Sequence, residues 1–170
     1  SDLMLHASNN LKTSLEKIYA LLKPDGLMLC SMFGSETLRE LRSCLLAAEE
    51  QFKEKVYPRI HPFTDIRTAG DILQSSGFKL CVADDTIIKV PTKDVYQLVK
   101  LIRSMGENNY LNIDKPNISR SIWNKTSELM KDTTPGEDGV MSTFQILTLT
   151  GWKYHADQPK PLKPGSAKIS

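Results

Sequence analysis

Residues 21–34, Leu21-Leu22-Lys23-Pro24-Asp25-Gly26-Leu27-Met28-Leu29-Cys30-Ser31-Met32-Phe33-Gly34, constrain the fold more than any other part of the chain. Pro24 cannot continue a helix and presets its own φ, and Gly26 can take the positive φ that a reversal needs. The apolar run that follows has no alternation, which predicts a strand covered on both faces, as in the middle of an α/β sheet. A helix end, a tight turn and a doubly buried strand make half of a βαβ crossover.

Periodicity extends this in both directions. Residues 3–5 read as the end of a strand. Asn9 or Asn10 then caps a first helix whose apolar face is Leu11, Leu15, Ile18, Tyr19 and Leu22. Thr37 and Glu40 have capping-box spacing, with Glu40 reaching back to the Thr37 amide, ahead of a second helix. Its stripe is Leu38, Leu41, Leu45, Ala48 and Phe52, running to about residue 55. Residues 56–63 form a loop stiffened by Pro58 and Pro62. A third helix starts at Thr64 or Asp65, buries Ile66, Ala69, Ile72 and Leu73, and stops at Gly77. Residues 78–90 read as a strand interrupted at 83–85 and ended by Pro91. Val95, Leu98, Val99 and Ile102 mark a helix closing at Met105-Gly106, and Ile122, Trp123, Leu129 and Met130 a further one over about 119–131. Residues 133–139 read as a mobile, turn-rich loop. Residues 143–152 read as a strand pairing antiparallel with 86–90. Alternating helices and strands predict an α/β fold whose sheet is mostly parallel, with one antiparallel edge pair.

Composition limits function. The 22 basic and 20 acidic residues leave a net charge of +2, too near neutral to favour nucleic acid or an anionic membrane, and Lys160, Lys163 and Lys168 read as solvated linker. No apolar run approaches the roughly 20 residues of a membrane span. Cys30, Cys44 and Cys81 are widely spaced in apolar segments and read as buried thiols in a reducing compartment; with only His6, His61 and His155 there is no metal-ligand cluster. The nine glycines contain no GxGxxG, GxG or GxxxxGK pattern, so no phosphate loop is expected. The chain opens at Ser1 with neither an initiator methionine nor a secretory segment, which reads as the interior of a longer protein.

LKPDG before an apolar strand, Met32-Phe33-Gly34, Thr37-Leu38 and Glu40-Leu41-Arg42 together resemble the C-terminal half of a class I S-adenosylmethionine-dependent methyltransferase. They are similar to two groups within it: the malonyl-carrier-protein O-methyltransferases of the biotin pathway, and the mitochondrial complex I assembly factors that hydroxylate an arginine. Pro62-Phe63-Thr64, Met105-Gly106-Glu107, Gln145-Ile146, Gly151-Trp152-Lys153-Tyr154-His155 and Gly165-Ser166-Ala167 resemble the second group more than the first. The resemblance covers essentially the whole chain. It implies a Rossmann-like sheet whose last strand inserts antiparallel beside its neighbours, over 1–92 and 142–155, with a helical cap at 93–141 and a flexible tail at 156–170. It implies S-adenosylmethionine as cofactor, although the glycine-rich loop and the ribose-holding acid have no counterpart here. The chain alone is therefore expected to bind that cofactor poorly and to be inactive.

By the same resemblance Leu5, His6 and Ala7 would lie at the carboxyl end of a strand beside the cofactor. Met32, Phe33, Gly34, Arg42, His61, Phe63 and Tyr154 would border the acceptor, with Arg42 able to fork onto a carboxylate. Trp152 and His155 could join Tyr154 in a rim; Arg39 reads as exposed. No residue is assigned a catalytic role, because methyl transfer asks the protein mainly to align donor and acceptor and exclude water. The readings carried forward are a methyltransferase acting on a carboxylate such as a malonyl-carrier thioester, an arginine-hydroxylating assembly factor, or a non-catalytic interaction fragment. The implied partners are an acyl carrier or a protein substrate. The implied location is bacterial cytoplasm or mitochondrial matrix. The unpaired edge beside the first strand is expected to pair with a second copy or with more of the same polypeptide.

Overall fold

The computed structural model describes residues 1–52, 55–107, 114, 116–136 and 139–159. The last residues of the expected second helix, part of the polar stretch after Glu107 and most of the expected tail lie outside these. After a single 3₁₀ turn at Leu5–Ala7, the elements are α1 (Leu11–Leu21), β1 (Leu27–Phe33), α2 (Arg39–Phe52), α3 (Ile66–Ser75), β2 (Lys79–Thr92), α4 (Val95–Ser104), α5 (Arg120–Thr133), β3 (Pro135–Gly136) and β4 (Gly139–Trp152).

Local chemistry explains most boundaries. Asn10 caps α1 by accepting from the Thr13 amide at 3.0 Å, and Asp65 caps α3 through the Thr68 amide at 2.9 Å. Gly77 leaves α3 at φ +99 and Gly106 follows α4 at φ +80, the left-handed residues that end a helix. The turn before β1 differs from expectation: Asp25, not Gly26, takes the positive φ, at +61. Aspartate tolerates that region. Gly26 is needed for another reason, because a Cβ there would stand 2.7 Å from the Lys23 carbonyl.

The sheet runs β1-β4-β2, with β3 folded back on β4 as a hairpin where a mobile loop was expected, and every ladder described is antiparallel. The antiparallel insertion of the last strand is as the resemblance implies. The mostly parallel sheet is not: β4 lies between β1 and β2 and runs against both. One parallel contact survives at the edge, where residues 1–3 lie along β1. There the Ser1 amine donates to Leu29 O, the Ser31 amide to Ser1 O and the Leu3 amide to Ser31 O, each at 3.0 Å. The strand end expected at 3–5 therefore sits at 1–3, and it partly covers the edge expected to be open.

Two further expectations fail at β2. Its irregularity falls between Lys79 and Val82, where Leu80 takes φ +50, and not at residues 83–85. Pro91 lies inside the strand, which ends at Thr92; proline is tolerated on an edge strand where its missing N–H faces away from the partner.

Alternation along the strands separates two cores. Met28, Cys30 and Met32 join Leu147 and Leu149 on one face, closed by Leu15 of α1 and by Ala69 and Leu73 of α3, all fully buried. Phe33, Val140 and Phe144 point to the other face, under α2, α4 and α5. Those helices reach only the Phe33 end. Leu27, Leu29 and Val82 on the same face are 49%, 57% and 55% exposed, so β1 is not buried on both faces as its unbroken apolar run suggested. Phe52, expected on the buried stripe of α2, is also exposed, at the last residue of the helix.

Candidate functional site

A cavity of about 220 Å³ opens at the Phe33 end of β1, between the sheet, α2, α4 and the loop over residues 56–63. Its walls are mostly apolar: Phe33, Leu38, Leu41, Leu45, Phe63, Ile102, Trp123 and Phe144. Its polar groups are Thr37, Arg59, His61, Arg103 and Glu107. An apolar hollow with a few convergent polar groups is the form a ligand site takes.

His6 stands at its edge. The 3₁₀ turn carries the ring into contact with Phe33 and Phe63, with centroids 4.9 and 5.6 Å away. The Phe33 amide donates to Nδ1 at 3.5 Å, so Nε2 carries the ring hydrogen and donates to Glu107 Oε2 at 3.0 Å. Glu107, three residues beyond α4, is thereby tied to the 3₁₀ turn that follows residues 1–3. His61 packs on Phe63 at 5.5 Å, and burial pushes its imidazole below the ordinary histidine range.

The loop that presents His61 and Phe63 is held by an ion pair inside the protein. Arg59 Nε and Nη2 reach Glu49 Oε1 at 2.9 and 2.5 Å, Arg59 Nη1 donates to Pro116 O at 2.7 Å, and the Tyr57 amide donates to Glu49 Oε2 at 3.1 Å. The Glu49 side chain is fully buried and that of Arg59 7% exposed. One carboxylate thus fixes both ends of the support under the cavity.

The structure brings together Phe33, His6, His61 and Phe63 from the residues singled out by sequence. Leu5 packs into the α1–α3 core, Ala7 is half-buried, and Met32 points into that same core, on the opposite sheet face from the cavity. Gly34 serves close packing: a Cβ there would run into the Gln145 side chain. The Arg42 guanidinium donates to the carbonyls of Ser35 and Thr37 at 3.2 and 3.1 Å, clamping the turn in which Leu38 holds φ +55. Tyr154 and His155 follow Trp152, which pairs with Leu27 at the far end of β1, so they form no rim over the cavity. Glu40 makes no capping box. Its carboxylate accepts from the Thr143 amide at 3.0 Å and from the Thr143 hydroxyl, and Lys89 Nζ lies 3.4 Å away. Burial pushes the Glu40 carboxyl up, but these bonds outweigh it and hold the group below the usual glutamate value. Arg39 is exposed and pairs with Glu36 at 2.6 Å.

Sequence reasoning missed Glu49, Arg59 and Trp123 as parts of the site, and met Glu107 only within a motif. Glu49 left a signal: it follows Leu41 and Leu45 at helical spacing, so a carboxylate on the buried stripe required a cation nearby. The three cysteines are free thiols, with Cys30 and Cys44 buried and burial pushing each thiol up. Among the described residues no group of three or more His, Cys, Asp and Glu side chains has metal-site geometry, and no helix is long and apolar enough to cross a membrane.

No family model matches the chain. It is 36% identical over 171 residues to arginine-hydroxylase NDUFAF5, mitochondrial, of Homo sapiens, covering 100% of this chain and 50% of that protein. Identity to the Dictyostelium discoideum protein of the same name is 35% over 170 residues, 39% of its length. Identity to malonyl-[acyl-carrier protein] O-methyltransferase of Nitrosospira multiformis is 27% over 154 residues, 90% of this chain and 48% of that one. The chain thus spans about half the length of the curated relatives it matches. Among solved structures, one named as a methyltransferase from Bacillus halodurans C-125 aligns with a TM-score of 0.52 at 11% identity, over 91% of this chain and 62% of that one. The YcgJ protein of Bacillus subtilis aligns with a TM-score of 0.51 at 9% identity, over 89% and 61%.

Proposed function

Starting from a chain that is homologous to NDUFAF5 and to malonyl-[acyl-carrier protein] O-methyltransferase and carries a methyltransferase-type α/β fold, we propose that it forms the acceptor-binding half of an NDUFAF5-like protein. The cavity beside His6 and Glu107 is its acceptor pocket, and residues 93–141, with α4 and α5, are the cap that shapes it. The acceptor is an arginine side chain of a partner protein. A guanidinium lies well against the rings of Phe33, Phe63 and Trp123 and pairs with a carboxylate, and Glu107 supplies one at the cavity wall. That carboxylate among aromatic walls is the observation on which this reading rests. The higher identity to the NDUFAF5 proteins supports it.

The cofactor fits this chain only in part. Leu5, His6 and Ala7 offer one wall, at the end of the strand segment beside β1, and the other contacts come from the remaining half of the full-length protein. S-adenosylmethionine, when bound, supplies an electrophilic methyl or occupies the cleft beside the acceptor. The chain's own residues hold the acceptor, exclude water and keep the Nε2 hydrogen of His6 on Glu107. The open face at Leu27, Leu29 and Val82 is covered by that same remaining half. The same relatives support a mitochondrial location.

A second reading, a methyltransferase acting on a malonyl-carrier carboxylate, is favoured by Arg103 at the cavity wall. Calorimetry of the full-length product with S-adenosylmethionine tests the cofactor, and mass spectrometry of candidate acceptors separates the reactions. A gain of about 16 Da on a protein arginine, an oxidation that needs an oxidant supplied from outside this chain, supports the first reading, and about 14 Da on an acyl-carrier substrate the second. A full-length product that binds no S-adenosylmethionine and modifies neither acceptor leaves an interaction module.

A further inference from the structure

The free edge of β2 carries a self-complementary pattern. β2 is an outer strand, and among the described residues no strand pairs its far side. In an antiparallel ladder, alternate residues turn both N–H and C=O toward the partner, and those between turn both away. Here β4 sets the parity. The Gln145 amide donates to Thr37 Oγ1 and its carbonyl accepts from the Gly34 amide, both toward the β1 side. Thr143 likewise donates to Glu40 and accepts from the Leu38 amide on that side. Their register partners Ile87 and Lys89 therefore turn their backbone groups to the open edge. Asp85 agrees, since its amide is met by Asp84 Oδ1 at 2.9 Å. So does Pro91, whose missing N–H falls on the same outward side.

The outward residues are thus Asp85, Ile87 and Lys89. We infer that two copies of this chain join edge to edge through β2, antiparallel and centred on Ile87. In that register Ile87 meets Ile87 of the second copy, and Asp85 of each copy stands opposite Lys89 of the other. Six backbone hydrogen bonds form as the Asp85 amide exchanges Asp84 Oδ1 for the second copy, and two opposite-charge cross-strand pairs flank an apolar centre, beside the bonds that Asp85 accepts from Gln145 Nε2 and Lys89 donates to Thr143 Oγ1. Registers centred on the other two outward residues are poorer, and those centred on Thr86 or Ile88 oppose a charge to Ile87 and form no opposite-charge pair between Asp85 and Lys89. Centring on Asp85 sets two carboxylates face to face. Centring on Lys89 opposes two ammonium groups and brings Ile87 against Pro91, which has no hydrogen to donate. Ile87 and Ile88 are 48% and 45% exposed, so the apolar surface to be covered is present. The charges that would repel an unrelated strand favour a second copy in the register centred on Ile87. The inference rests on this edge alone, on the side of the sheet away from residues 1–3, and is independent of what the cavity binds.

Analytical ultracentrifugation of the full chain over a concentration series tests it. A monomer–dimer equilibrium is expected. Asp85→Lys and Lys89→Asp alone should each weaken the dimer tenfold or more, as two attractive cross-strand pairs become repulsive, and the double exchange D85K/K89D should restore it. Ile87→Pro removes the central outward donor without touching the ladder to β4 and should abolish association, with circular dichroism reporting whether each variant is folded. Hydrogen exchange adds a reading without substitution: the Ile87 and Lys89 amides should gain protection as concentration rises. A chain that stays monomeric to its solubility limit overturns the inference. So does a dimer that survives both Asp85→Lys and Ile87→Pro.

Discussion

The two faces of the sheet are built from the same three strands, yet one is closed and the other is hollow. Under α1 and α3, aliphatic side chains and the Phe78 ring meet with no charged group between them, and Leu15, Ala69, Leu73, Leu147 and Leu149 are fully shielded. Under α2, α4 and α5 the rings of Phe33, Phe63, Trp123 and Phe144 stand among aliphatic side chains, and a charged pair and a histidine–carboxylate pair stand within or beside them. Helices of ten and eleven residues lie directly on the first face. The second is roofed by helices joined through long connections, and rigid rings cannot fill the space beneath them. Both faces carry a buried core, and the cavity lies within only one of them.

Removing the buried charge tests this contrast hardest. Glu49→Ala should cost about 3–5 kcal/mol in urea denaturation, because it strands the Arg59 guanidinium inside the protein, while a Glu49→Leu/Arg59→Met double variant should recover most of the loss. Near-equal stability of the single and double variants would mean that the ion pair does not hold the loop. Leu73→Ala, in the closed core, should cost about 2–5 kcal/mol, and Phe63→Ala, half-buried beside existing space, less than half of that. Equal costs at the two sites would erase the distinction between a packed face and a hollow one.

A smaller effect reads the polar rim. The folded-state pKa of Glu40 lies below the ordinary 4.5, so its contribution is fully present above that value and is lost as pH falls through the lowered one. Glu40→Gln should cost about 1 kcal/mol at neutral pH, with the difference from the parent closing in acid. Smallest is His61. Burial lowers its pKa from 6.5, so its neutral form favours folding above 6.5 and that support is lost as pH falls through the lowered value. His61→Gln should flatten the stability–pH curve in that window by a fraction of a kcal/mol, and an unchanged slope would place the ring in solvent.

Much of this molecule could be read along the chain, where physics is local. Asn10, Asp65 and Ser119 cap helices because a short polar side chain meets the amide three residues on. Stripes at helical spacing found the inner faces of α1, α3, α4 and α5, and β-rich residues 143–152 became part of the central strand. The motifs that suggested methyltransferase kinship rest on the same order of elements. Three residues of the cavity wall, Phe33, His61 and Phe63, were legible too, and His6 stands at its edge. What only tertiary structure decided is which groups from distant segments meet. An apolar run cannot say whether both of its faces find cover; in β1 the helices end short, and Leu27 and Leu29 face outward. Capping-box spacing cannot say whether Glu40 turns back to its own helix or across to Thr143, since a neighbouring strand offers the same donors. His6 and Glu107 meet as a hydrogen-bonded pair because the turn beside β1 and the end of α4 lie at the same edge of the sheet, and the energy of that meeting depends on a distance that chain order does not contain.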